Sequence, residues 1–174
     1  MAHLTVHEAM PGHYVQAEYA NEVQPRSRRL LRSIYGNGPY VEGWAVYTQQ
    51  LMAEQGFLSD TPGYRLTLAK QKLRVLANTI LDVRLQTLGM SDADALDLMT
   101  KVTYQEMEEA MAKLQRAKLS SCQLPTYYAG YKGWLAVREH FQATHGDAMT
   151  LKQFHEAALR EGAVPLPVLD ELLN

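Results

Sequence analysis

The stretch YRLTLAKQKLRVLANTILDVRLQTL, residues 64–88, decides the fold class. Leu66, Ala69, Leu73, Leu76, Ile80 and Val83 recur at alternating steps of three and four, which lays one apolar stripe along a helix of about six or seven turns. The stripe can face the chain's own core or, equally, a partner subunit. Gly89 suits a C-terminal cap, and Ser91 with Asp94 three residues on opens the next helix. Outward from there the pattern stays helical. SDADALDLMTKV runs into YQEMEEAMAKLQRAKL with a bend expected between them, and Thr150 with Gln153 forms a capping box ahead of LKQFHEAALREG. Gly162 closes that helix, and Pro165 and Pro167 end regular structure. Loops are expected at YGNGPY (35–40), LSDTPG (58–63) and SSCQLP (120–125). No strand alternation and no internal repeat is found. The expectation is a mainly α protein, a single helical domain of roughly seven helices over 1–174.

With 174 residues, 47% hydrophobic and 21% charged, the chain has the composition of an ordinary globular domain. A net charge of −2 without a basic block gives no reason to expect nucleic acid. The single cysteine, Cys122, excludes an internal disulfide framework and lacks a paired base that would make it a nucleophile. No apolar run approaches the ~20 residues of a membrane span, and the N-terminus is not a signal peptide, so a cytoplasmic setting is the default. The chain opens almost directly on its most unusual segment. The expectation is therefore that residues, possible targeting sequence among them, are missing upstream.

That segment, HLTVHEAMPGHYVQAEYA (3–20), holds three of the six histidines. Helical zinc sites use histidines at i and i+4 so that both imidazoles leave one face. His7 and His13 are six apart, which in a regular helix leaves them roughly 120° and ~9 Å apart. Pro11 cannot donate the hydrogen bond to the carbonyl of residue 7, and Gly12 tolerates a distorted turn. A bulge at 9–12 would return His13 to the face of His7, giving a distorted metal-binding helix. Glu18 and Glu22 read as solvated helix charges, and His3 lies too close to the terminus to weigh.

HEAMPGH followed by VEGWAVY (41–47) resembles the bacterial family known as domain of unknown function 885, whose members look like zinc metallopeptidases of the gluzincin type with a stretched H-E-x-x-H motif. LANTILDVRLQTLGMSDADALDLM, QLPTYYAGY and FHEAALREGAVPLPVL extend the resemblance over essentially the whole chain. It implies the C-terminal, motif-bearing part of a longer protein. It also implies His7, His13 and Glu42 as ligands of zinc, with Glu8 as general base toward an activated water. Three protein ligands leave a coordination position open, and base and ligand must be different carboxylates. Tyr127 is implied as an oxyanion donor, or else as part of an aromatic cluster with Tyr128 and Tyr131. His155 and Gln123 are candidates for substrate contact, with support of the ligands an alternative for His155. Gln86 stands where relatives often carry histidine, so a charge-dependent contact there is in doubt. Trp44 and Tyr47 are expected to pack the helix of Glu42, and Asp82 either to orient a ligand imidazole or to lie on the surface. His140 and His145 are expected to serve a helix end.

The function expected is hydrolysis of a peptide or small amide, with an ester as a third reading. The rival is a non-catalytic helical module carrying a structural or vestigial metal site.

Overall fold

The computed structural model describes residues 1–174 and is all α. It contains α1 (Ala2–Glu8), α2 (His13–Glu22), α3 (Arg26–Ile34), α4 (Gly38–Glu54), α5 (Pro62–Thr87), α6 (Asp92–Asp97), α7 (Met107–Leu119), α8 (Pro125–His145), α9 (Leu151–Arg160) and α10 (Leu166–Leu173). Ten segments replace the expected seven because the N-terminal run divides into several short helices. The anticipated bend between α6 and α7 is a π-helical turn, Leu98–Val102. Boundaries follow local chemistry. Asn37 caps α4 by accepting the Tyr40 N–H at 3.0 Å. Pro62 and Pro125 open α5 and α8, where a missing N–H leaves no helical bond unmade. Ser91 caps α6, and the Thr150–Gln153 capping box is fully formed. Gly89 and Gly162 end their helices at φ of +63° and +70°, the left-handed region that glycine enters without strain.

Two cores hold these helices. The larger joins α4, α8, α9 and α10 through Tyr40, Trp44, Tyr47, Trp134, Phe141, Phe154 and Leu169. Its polar atoms are satisfied: the Trp134 indole donates to the Tyr40 carbonyl at 2.9 Å, and the Tyr40 hydroxyl donates to the Ala158 carbonyl at 3.0 Å. Here α4 and α8 cross backbone to backbone. A Cβ on Gly43 would stand 2.3 Å from the Gly130 carbonyl carbon, and one on Gly130 would stand 2.0 Å from the Pro39 oxygen. Only glycine fits at either position. The smaller core packs α6, the π-helical turn and α7 on α5 through Leu81, Ala95, Met99, Ala110 and Leu114.

The apolar stripe of α5 does not face either core. Leu66, Leu73, Ile80 and Val83 are all exposed, whereas Tyr64, Val75, Asn78, Leu81 and Asp82 are buried. Periodicity identified a helix and an apolar face, but not what lies against that face. Asp82 is neither a ligand orienter nor a surface group: its buried carboxylate accepts the Cys122 N–H at 3.2 Å and so anchors the 120–125 loop. Gln86 serves the same loop, donating to the Ala117 and Ser120 carbonyls. His140 pairs with Asp170, and His145 reaches the Leu173 carbonyl, so both fasten α10 to α8.

Candidate metal centre

The Pro-Gly pair divides the segment into two helices and does not merely bulge one. α1 stops at Glu8, and α2 starts at His13. Between them the chain folds tightly over the end of α1, so that a Cβ on Gly12 would fall 1.8 Å from the His7 carbonyl oxygen. Glycine is required there by this close approach. The Trp44 indole N–H, reaching up from α4, donates to the carbonyls of Pro11 at 2.9 Å and Gly12 at 3.2 Å. The turn that separates the histidines is thus tied to the helix that carries Glu42.

Those three side chains converge. His13 Nε2 lies 3.4 Å from Glu42 Oε2, His7 Nε2 lies 4.0 Å from the same oxygen, and all three donor atoms fall within 4.8 Å of one another. The two imidazole rings meet edge to face, with centroids 4.8 Å apart. Around a tetrahedral ion with bonds of ~2.0–2.1 Å, neighbouring donors stand about 3.3–3.5 Å apart. Small side-chain rotations bring this triangle to that size, so the residues fit a metal ion. The side chains of His7, His13 and Glu42 keep 14%, 25% and 22% of their exposure, which leaves the site open on one side. Burial, followed by the neighbouring His13, pushes the His7 imidazole below its ordinary pKa. Burial alone would raise the Glu42 carboxyl, but the hydrogen bond and charge of His13, with smaller contributions from Tyr127 and His7, hold it below the usual carboxylate range. A neutral imidazole and an ionised carboxylate are the forms that ligate a cation.

His7 lines a cavity of about 690 Å³ between α1, α4, α5, α7 and α8. Glu8 is exposed at its rim beside His7, and Tyr127, in the first turn of α8, lines it near Glu42. Gln123 and His155 do not line it. Gln123 stands behind Tyr127, donating to the phenol oxygen at 3.4 Å while accepting from Arg116 at 3.0 Å. His155 lies beneath the site, with Nε2 2.8 Å from the Tyr47 hydroxyl and its ring against Trp44. Burial, aided by the charge of Arg138, pushes His155 down to about 4. Its position suits support of the Trp44 layer and not substrate contact. Trp44 and Tyr47 do pack the ligand helix, as expected, and the Trp44 tether to the turn is an addition the sequence did not announce. His3 also lines the cavity, one turn before His7 on α1. Its i, i+4 spacing from His7 was the signal, and proximity to the terminus obscured it.

The bacterial family of unknown function DUF885 matches residues 1–173. The chain belongs to this family. Two solved structures share its fold, and both were described only as lipoproteins in name. One, "a putative lipoprotein of unknown function" from Shewanella oneidensis, is 41% identical with a TM-score of 0.90; the match covers 98% of this chain and 30% of that one. The other, "the putative lipoprotein" from Colwellia psychrerythraea, is 30% identical with a TM-score of 0.91 and coverages of 99% and 29%. The DUF885 chain here therefore spans about 30% of the length of these relatives. No curated protein matches it.

Proposed function

We propose that this DUF885 chain carries the metal centre of a zinc-dependent hydrolase of peptide or small amide bonds. The observation that carries the reading is the convergence of His7, His13 and Glu42 from three different helices, beside a cavity that His7 lines. Two imidazoles and one carboxylate suit zinc, and three protein ligands are the pattern of catalytic sites, where structural sites use four. When bound, zinc would supply Lewis acidity toward a carbonyl and acidify a water. The chain's own residues do the rest. Glu8, next to a ligand but not one itself, takes the water proton on its carboxylate and passes it to the leaving nitrogen. Tyr127, whose phenol oxygen accepts from Gln123, donates a hydrogen bond to the oxyanion and keeps its proton. Trp44 fixes the turn that sets the spacing of the two histidines.

No helix is long and apolar enough to cross a membrane. The names of the two relatives favour the cell envelope over the cytoplasmic default. The openness of the ligand triangle weighs against a purely structural site.

Metal content separates the readings. Protein reconstituted with zinc should hold about one equivalent, His13→Ala less than about a tenth, and Glu8→Gln about one equivalent with peptidase activity lost. Wild type holding less than about a tenth of an equivalent, or Glu8→Gln as active as wild type, would remove the proposal.

A further inference from the structure

The α5 and α7 side of the cavity carries an excess of positive charge. Arg65, Lys72, Arg74, Lys113 and Arg116 line it, against Glu8 and Glu54. Glu54 is already engaged by Arg138, outside the cavity, at 2.9 Å. Glu8 belongs to the reaction. Of the cations, Arg74, Lys113 and Arg116 form one cluster on neighbouring faces of α5 and α7, with Glu109 as their single carboxylate: it pairs with Arg74 and lies 3.9 Å from Lys113. Gln105 and Gln123 give neutral oxygens to Lys113 at 2.7 Å and to Arg116 at 3.0 Å. Three cations therefore share one anion in a place where water is partly excluded, and the Lys113 side chain keeps only 10% of its exposure.

Such crowding is costly on its own account. Burial, then repulsion from Arg74 and Arg116, pushes the Lys113 ammonium down to about 7. A cleft lined by charge of one sign focuses its field on a ligand of the opposite sign. The cluster is also close to the chemistry. Burial, then the N-terminal charge and Arg74, depress the His3 imidazole, and the Tyr127 phenol acts on the Arg74 guanidinium against the effect of its burial. Tyr127 in turn touches the electrostatics of Glu42. Metal ligand, phenol and guanidinium thus act on one another across the cavity, from the α4 and α8 side to the α5 side.

We infer that this wall is a carboxylate subsite: the substrate is an anionic peptide or amide that places a carboxylate on Arg74, Lys113 and Arg116 while its scissile carbonyl lies at the His7–His13–Glu42 end. The inference rests on the hydrolase reading and names its substrate class. Arg74 is the anchor, because a guanidinium engaged by Glu109 through one nitrogen keeps other donors for a second carboxylate. Leu68, Ala69 and Val75 from α5, with Leu124, line the same space, so the backbone between carboxylate and scissile bond would lie on apolar surface. The carboxylate has two sources, a free chain terminus or an acidic side chain, and both present the same two oxygens.

The test is calorimetric and does not depend on turnover. Zinc-loaded Glu8→Gln protein is titrated with N-acetyl-tetraalanine, with its C-terminal carboxamide, and with that carboxamide carrying one internal glutamate. The subsite predicts that one or both carboxylate peptides bind at least ~10-fold tighter than the neutral carboxamide. Preference for the first assigns the terminus, and preference for the third assigns the side chain. Arg74→Gln should remove most of the preference while changing carboxamide binding less than ~2-fold, and Arg116→Gln should reduce it with Glu109 left paired. Equal binding of all three peptides, absence of binding by any, or equal weakening of all three in Arg74→Gln would overturn the subsite. Carboxylate preference in Glu8→Gln together with inert wild type would instead retain the subsite and overturn hydrolysis, so the two failures are distinguishable.

Discussion

On one side of the cavity, α4 and α8 cross at Gly43 and Gly130 with no room for a Cβ, over a core of two tryptophans, three tyrosines and two phenylalanines. On the other side, the 26-residue helix α5 buries little, turns Leu66, Leu73, Ile80 and Val83 outward, and offers cations to the cavity. Both walls are helical and both line the same space. The first carries Glu42 and Tyr127 and, through Trp44, holds the turn between His7 and His13. The difference assigns them separate tasks: a close-packed wall fixes donor atoms to within fractions of an ångström, and a polar wall receives a ligand.

Substitutions should break the two walls very differently. The largest effect is expected at the crossing. Gly130→Ala forces a methyl group onto the Pro39 carbonyl and should destabilise by about 3 kcal/mol or more, read from urea midpoints, with metal binding lost alongside. A mild loss would mean that the helices can part without cost.

Next comes pH. In the folded protein His155 sits near 4, against 6.5 when free, so between those values the unfolded chain binds a proton that the native state refuses. Stability of the metal-free protein should be full above pH 6.5 and decline as pH falls toward 4, with about 3 kcal/mol assignable to this residue. His155→Phe should remove that share of the slope when the two pH profiles of the denaturation midpoint are compared.

Trp44→Phe sharpens the comparison further, because it keeps most of the packing and deletes one donor. It should cost roughly 1–2 kcal/mol and weaken zinc binding by about 10- to 100-fold, measured by competition with a chelator. The smallest effect is expected on the outer face of α5, where Leu66→Gln should change stability by less than about 0.5 kcal/mol. A large loss there would show that the stripe is covered in solution.

Much of this was legible from residue patterns. Helix starts at Ser91 and Thr150 and stops at Gly89 and Gly162 lie where their chemistry put them, because capping is decided within four residues. The direction of the α5 stripe was not legible, since an apolar period reports a face and says nothing of its neighbour. The Pro-Gly pair announced a broken helix. That the break is complete, and secured by an indole 32 residues away, depends on α4 passing beneath it. His7, His13 and Glu42 were named through a resemblance, and their common approach is a tertiary fact. Gln123 and His155 were placed at the substrate, yet they stand behind Tyr127 and Trp44, because a polar residue near a motif in sequence can serve either side of a wall. The cationic cluster went unseen since its members come from α5 and α7, some 40 residues apart in sequence.

Anomalous scattering at the zinc absorption edge, from crystals of reconstituted protein, tests the shared ion most directly. One peak is predicted about 2.0–2.2 Å from an imidazole nitrogen of His7, an imidazole nitrogen of His13 and a carboxylate oxygen of Glu42. A peak held instead by His3 and His7, the i, i+4 pair of α1, or a fully occupied zinc elsewhere with the triangle empty, would contradict it.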